Sequence, residues 1–131
     1  MNTKLLMTAS SVVLGLAGIV LLFAPEMLLA TLGIQLLEPL TVLVQLLAAL
    51  YFAFALMNWT AKESIIGGIY NRPLSFGNFA HFFVGTSVLI RYLFSNSAPP
   101  SLLVATLVYA IFAGLFAWLL FRHTGIPSAE P

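Results

Sequence analysis

Four long apolar runs, separated by short polar or proline-bearing breaks, set the pattern of the chain. A hydrocarbon core about 30 Å thick needs roughly 20 apolar residues per helical span. The runs, at about 5–24, 40–61, 74–94 and 101–121, each meet that length. The breaks carry helix punctuation. Pro25 cannot continue the hydrogen-bond ladder of the first span and suits the opening turn of a new helix. Residues Pro25 to Leu32, with Glu26 in the first turn and Gly33 just past the end, predict a short interfacial helix that cannot cross. Glu38 and Pro39 open the second span, which closes on Asn58 and Trp59 near an interface. The loop Lys62 to Arg72 holds Gly67 and Gly68 and reads as a turn that resets chain direction. It ends at Arg72-Pro73, where the third span starts. The tight link Ser95 to Pro100 permits only an antiparallel neighbour. The predicted fold is a single all-α transmembrane domain over residues 1–131, a four-transmembrane-helix up-down bundle with a short interfacial helix after the first span.

At 100° per residue, the third span divides into two halves. Gly77, Asn78, Ala80, His81, Gly85, Ser87 and Arg91 share one half, which is expected to face the bundle. Phe76, Phe79, Phe82, Phe83, Leu89, Ile90, Leu93 and Phe94 occupy the other, which is expected to face lipid, with Thr86 the exception there. In lipid, helices associate through close contact at small residues and through polar pairs. Small-residue stripes on the other spans fit the same expectation: Ser11, Gly15 and Gly18; Ala48, Ala49, Ala53 and Ala55; and Thr106, Ala110, Ala113, Gly114 and Ala117.

Composition agrees with a membrane environment, since 61% of residues are hydrophobic and 7% charged, against about 25% charged in a soluble domain. A net charge of +1 without a basic cluster excludes nucleic acid as a partner. The chain has no cysteine, which removes thiol chemistry, iron–sulfur ligation and lipid attachment through cysteine. Lys4, Lys62, Arg72 and Arg122 fall at one side of the bundle, and Arg91 at the other with Glu26 and Glu38. Because basic residues mark the cytoplasmic side of short loops, both termini are expected in the cytoplasm. The first apolar run exceeds the roughly 7–15 residues of a signal-peptide core, and Pro25 follows Ala24, so a retained span is expected rather than a cleaved leader.

Chemistry concentrates on few residues. His81 lies eight positions after Pro73, roughly 12 Å along the helix, and an intramembrane ionisable residue points by default to a functional site. Asn78 and Asn58 are its expected hydrogen-bond partners, and Gln45 is expected to line an outer half-cavity or to join helices. The bland alternative makes His81 a satisfied histidine tying the second and third spans together. Arg91 is expected to anchor its end of the third span by reaching the interface or by a structural ion pair with Glu38, with Glu26 as a second choice. His81 and His123 are the only histidines and lie at different depths, so bis-histidine haem ligation does not fit, and no metal site or cofactor is expected. The chain has no Asp and its four Glu residues sit near helix ends, in a loop or in the tail, so no Ser-His-Asp set forms.

Between Gly15 and Gly33, a glycine-bearing span runs into Phe23-Ala24-Pro25-Glu26 and closes at Leu32-Gly33-Ile34. An Ala-rich span ending Asn58-Trp59 follows. In these features, over about half its length, the chain resembles small bacterial four-helix integral membrane proteins of the DoxX-like kind. The resemblance implies an architecture and a bacterial inner membrane. It transfers no catalytic residue, and the absence of cysteine departs from members associated with thiol metabolism.

Three functions compete. One is a non-catalytic module that binds a lipid, a small hydrophobic ligand or a partner membrane protein, with His81, Asn78, Asn58 and Gln45 as ligand-binding residues. The second is a small transporter or channel subunit working as a homo-oligomer, in which the same four residues line a polar path. The third is a lipid-modifying or isomerising enzyme with His81 as general base, for which only the two asparagines could stabilise an oxyanion.

Overall fold

Helix boundaries in this chain arise where side chains or backbone breaks take care of the unpaired end groups of each ladder. The computed structural model describes residues 2–31, 33–35, 38–64, 71–95 and 99–122. These form α1 (Thr3–Phe23), α2 (Pro25–Thr31), α3 (Glu38–Ala61), α4 (Arg72–Ser95) and α5 (Pro100–Arg122), with no strand among the described residues. Asn2 caps α1, its side-chain oxygen accepting the Leu5 amide at 3.3 Å. Ala24, at φ −141° and ψ 53°, breaks the ladder, and Pro25 opens α2 without an amide that needs a partner. Gly33 ends α2 at φ 72°, with its N–H on the Ala30 carbonyl and that of Ile34 on the Leu29 carbonyl. This is the left-handed closing turn that glycine adopts without steric penalty.

α1, α3, α4 and α5 are each long and apolar enough to cross a membrane, so the chain is an all-α multi-pass membrane protein. α2, with seven residues, is too short to cross. The long helices alternate in direction. Along α1 and α3, Lys4 meets Glu63, Ser10 meets Asn58, and Gly18 meets Ala48. Along α4 and α5, Phe79 meets Phe121 and Gly85 meets Tyr109.

Backbones approach closely within two pairs, α1 with α3 and α4 with α5. The first pair meets at part of the predicted small-residue stripe, Ala48 and Ala55 facing α1 while Ala49 and Ala53 are exposed. A methyl placed on Gly18 would stand 3.0 Å from the Ala48 carbonyl oxygen and 3.1 Å from the Phe52 nitrogen, so a larger residue would force the two helices slightly apart. Gly15 faces Ala55, and the Ser11 hydroxyl donates to the Ala55 carbonyl at 2.6 Å. Larger side chains fill the space between the pairs. Leu6, Met7 and Leu14 of α1, Ala55 of α3, Phe82 of α4, and Phe112, Ala113, Phe116 and Leu119 of α5 form the core.

Several expected faces are therefore corrected. Phe82, assigned to the lipid side, is fully buried and stacks against Phe112 and Phe116 at centroid distances of 4.9 and 5.8 Å. Ser87 is exposed and returns its hydroxyl to the Phe83 carbonyl, which satisfies it without a neighbouring helix. On α5 the inward side is ring and leucine with Thr106 and Ala113, while Gly114 is exposed. The physical reason is common to all three. A ring or a leucine can fill the inside of the bundle as well as a small residue can, so the small stripe of α4 and α5 does not by itself mark the inside.

Candidate functional site

Two polar groups of residues lie inside the bundle. At one, Asn58 and Asn78 are both fully buried and face each other as paired amides, each nitrogen donating to the other's oxygen at 2.8 Å. The Asn58 nitrogen also donates to the Ser10 hydroxyl at 3.0 Å, and that of Asn78 to the Leu74 carbonyl at 3.0 Å. Ser10 in turn donates to the Met7 carbonyl. The group ties α1, α3 and α4 together and uses all four amide hydrogens. These asparagines were expected beside His81, and the structure pairs them with each other instead.

His81 belongs to the second group. Its Nε2 lies 3.3 Å from the Tyr109 hydroxyl, which donates to the Tyr51 hydroxyl at 2.6 Å. Four rings enclose the imidazole. Phe54 stacks on it at 5.0 Å, Tyr51 and Phe82 meet it edge-on at 5.4 and 5.1 Å, and Tyr109 is tilted at 5.6 Å. Gly85 makes room for this arrangement, since a methyl there would fall 2.5 Å from the Tyr109 ring. His81, Tyr51, Tyr109 and Phe54 are all half-buried, so the group reaches the outer surface of the bundle. Among the described residues, every buried side-chain nitrogen and oxygen has a hydrogen-bond partner. The ring of His81 makes its hydrogen bond through Nε2.

The remaining predicted residues stand apart. Gln45 is exposed, 13 residues before Asn58 on α3, about 20 Å away along the axis. Arg91 is exposed in the last turns of α4, and its expected partner, the Glu38 side chain, lies outside the described residues, as do His123 and the Gly67-Gly68 turn. Reasoning from sequence did not single out Tyr51 and Tyr109, which sit in apolar runs. The available signal was chemical, because a tyrosine hydroxyl inside a bundle needs a partner.

At the end of the bundle that holds the amide pair, Lys4 and Glu63 form an exposed ion pair at 2.8 Å, and the Lys62 ammonium stands 3.0 Å over the Trp59 ring. The hydrogen bond from Lys4 holds the Glu63 carboxyl below the usual carboxylate range. Among the described residues, no group of three or more His, Cys, Asp or Glu is placed to hold a metal ion. Comparison with family models, curated proteins and solved structures finds no match.

Proposed function

We propose that this chain is a non-catalytic binding module of the cell inner membrane, with both termini in the cytoplasm, that takes a lipid or small hydrophobic ligand at the His81–Tyr109–Tyr51 group. The observation that carries this reading is the combination of half-burial with hydrogen-bonding capacity on helices long and apolar enough to cross a membrane. Polar groups in such a position hold their hydrogens toward whatever occupies the adjoining hydrocarbon. The asparagine pair is saturated, so a polar conduction path loses two of its four expected residues.

Native mass spectrometry of protein released from nanodiscs tests the reading. A discrete bound molecule, retained by wild type and lost in Tyr109→Phe and His81→Ala, is the expected result. An empty protein in every case would overturn it. The orientation rests on the basic residues Lys4, Lys62, Arg72 and Arg122 at one side. Since the chain lacks cysteine, Ser64→Cys and Gln35→Cys provide single labels at opposite ends. An impermeant thiol reagent applied outside intact cells is expected to reach position 35 and not position 64.

A further inference from the structure

A cavity of about 580 Å³, lined by Glu26, Ala30, Gly33, Ile34 and Gln35, opens at the end of the bundle away from Lys4. Its size falls within the range of small-molecule sites. The residues of α2 account for the hollow. Glu26 stands in the first turn, and Ala30 follows one turn later on the same side. Gly33 then turns the chain at φ 72° and has no side chain, and a methyl built there would meet nothing within 4 Å. The two small residues leave a trough whose lining includes one carboxylate, at Glu26, and one carboxamide, at Gln35. The fold uses neither group. Both side chains are exposed, and among the described residues neither makes a hydrogen bond or an ion pair.

The carboxylate sets the charge of what can enter. A lone carboxylate does not hold a metal ion, and among the described residues no group of three or more metal-ligating side chains forms here. It suits an ammonium, which brings its own N–H donors and needs one charged acceptor. The Gln35 carboxamide can donate to an anionic oxygen. Position supplies the rest. The hollow lies between the end of α1 and the start of α3, where two helices long enough to cross a membrane reach its surface, and phospholipid headgroups lie at that level. Phe23 and Met27, on either side of Glu26 in the chain, are 79% and 66% exposed and offer an apolar surface to acyl chains.

We propose that this hollow binds the headgroup of a phospholipid that carries a primary ammonium. The Glu26 carboxylate accepts from the ammonium, and the Gln35 amide donates to the phosphate. The site shares no residue with the His81–Tyr109–Tyr51 group and does not rest on the binding reading given for that group.

The test is native mass spectrometry of the full chain released from nanodiscs of equal parts phosphatidylethanolamine, phosphatidylcholine and phosphatidylglycerol with the same acyl chains. The choline headgroup keeps the positive charge without N–H donors, and the glycerol headgroup has no cation. Wild type is expected to retain the ethanolamine lipid over each of the others by about tenfold, the ratio that one charge-assisted hydrogen bond supplies. In Glu26→Gln both ratios fall to about one. Ala30→Leu, which fills the trough and keeps the carboxylate, serves as the second variant and has the same effect. Both positions are exposed, so thermal unfolding in micelles is expected to stay as in wild type. His81→Ala is expected to leave the ratios unchanged. Soluble glycerophosphoethanolamine, which has the same headgroup without acyl chains, is expected not to be retained by the detergent-released protein. Equal retention of the three lipids in wild type, or retention of the glycerol lipid above the others, would overturn the proposal. A preference for the ethanolamine lipid that survives either trough variant, or that is lost in His81→Ala, would overturn its placement at Glu26. Retention of the soluble headgroup as readily as the lipid would overturn the assignment of a membrane lipid as the ligand.

Discussion

The amide pair and the histidine row occupy neighbouring turns of α3 and α4, yet they end in opposite states. Asn58, Asn78 and Ser10 are fully buried, and every amide hydrogen in the group has an acceptor within the protein. His81, Tyr109 and Tyr51 are half-buried, and their three hydrogens serve only two hydrogen bonds within the row. The difference teaches how to tell a fastening from a site inside a membrane. A closed set of polar groups holds helices together and has nothing to offer a visitor. An open row of similar groups holds its rings in place and keeps hydrogen-bonding capacity at the surface.

The contrast can be broken most severely at the amide pair. Asn78→Ala leaves the Asn58 amide without its partner inside the bundle and is expected to destabilise by about 2 kcal/mol. Thermal unfolding in detergent micelles measures this. Replacing both asparagines by leucine is expected to recover most of the loss, because a buried pair removed together leaves no orphan. Next in size, Gly85→Ala drives a methyl into the Tyr109 ring and is expected to cost about 1 kcal/mol as an overpacked position. It displaces the row while leaving the amide pair intact, so ligand retention should fall far more than stability.

Tyr109→Phe is the sharper version of the same test. It preserves the ring that packs on Phe82 and removes the middle link of the row. A change in stability below about 1 kcal/mol accompanied by loss of the bound molecule in native mass spectrometry would separate the two groups cleanly. If stability fell as far as in Asn78→Ala, the row would be a second fastening.

The smallest effect belongs to the exposed ion pair between Lys4 and Glu63. Glu63 has a carboxyl held below its ordinary value by the Lys4 hydrogen bond. Its contribution is therefore fully present above the ordinary carboxylate range and is lost as the pH falls through the lowered value. A pH titration of unfolding for wild type against Glu63→Gln should show the two curves converge at the acid end. The gap above it should be small and shrink with added salt, as expected for a pair open to solvent.

Much of the architecture was legible in the residues. Runs of about 20 apolar residues, Pro25, Gly33 and Arg72-Pro73 predict the four long helices and the short second one in their observed order. The close crossing of α1 and α3 at Gly18 and Ala48 followed from their size. Which side of α4 and α5 faces inward did not. A helix in lipid can carry apolar rings on both sides, so the period of the pattern groups residues without saying which group is inside. Phe82 illustrates this, since nothing in its neighbours separates it from Phe83, which is exposed. The site was half legible. His81 drew notice because it can ionise, whereas Tyr51 and Tyr109 read as apolar members of their runs. Their hydroxyls acquire meaning only through an encounter across 58 residues of chain, which periodicity along one helix cannot reveal.

One small contact bears on how the molecule is made. The Ser101 hydroxyl, in the first turn of α5, donates to the Thr31 carbonyl at the end of α2 at 2.7 Å. α2 leaves the ribosome about 70 residues before the group that completes it. Because a chain is made from its N-terminus, this bond can form only after Ser101 has been added. The bond joins an early part of the chain to a late one, so a product interrupted before Ser101 would carry α2 without its latch.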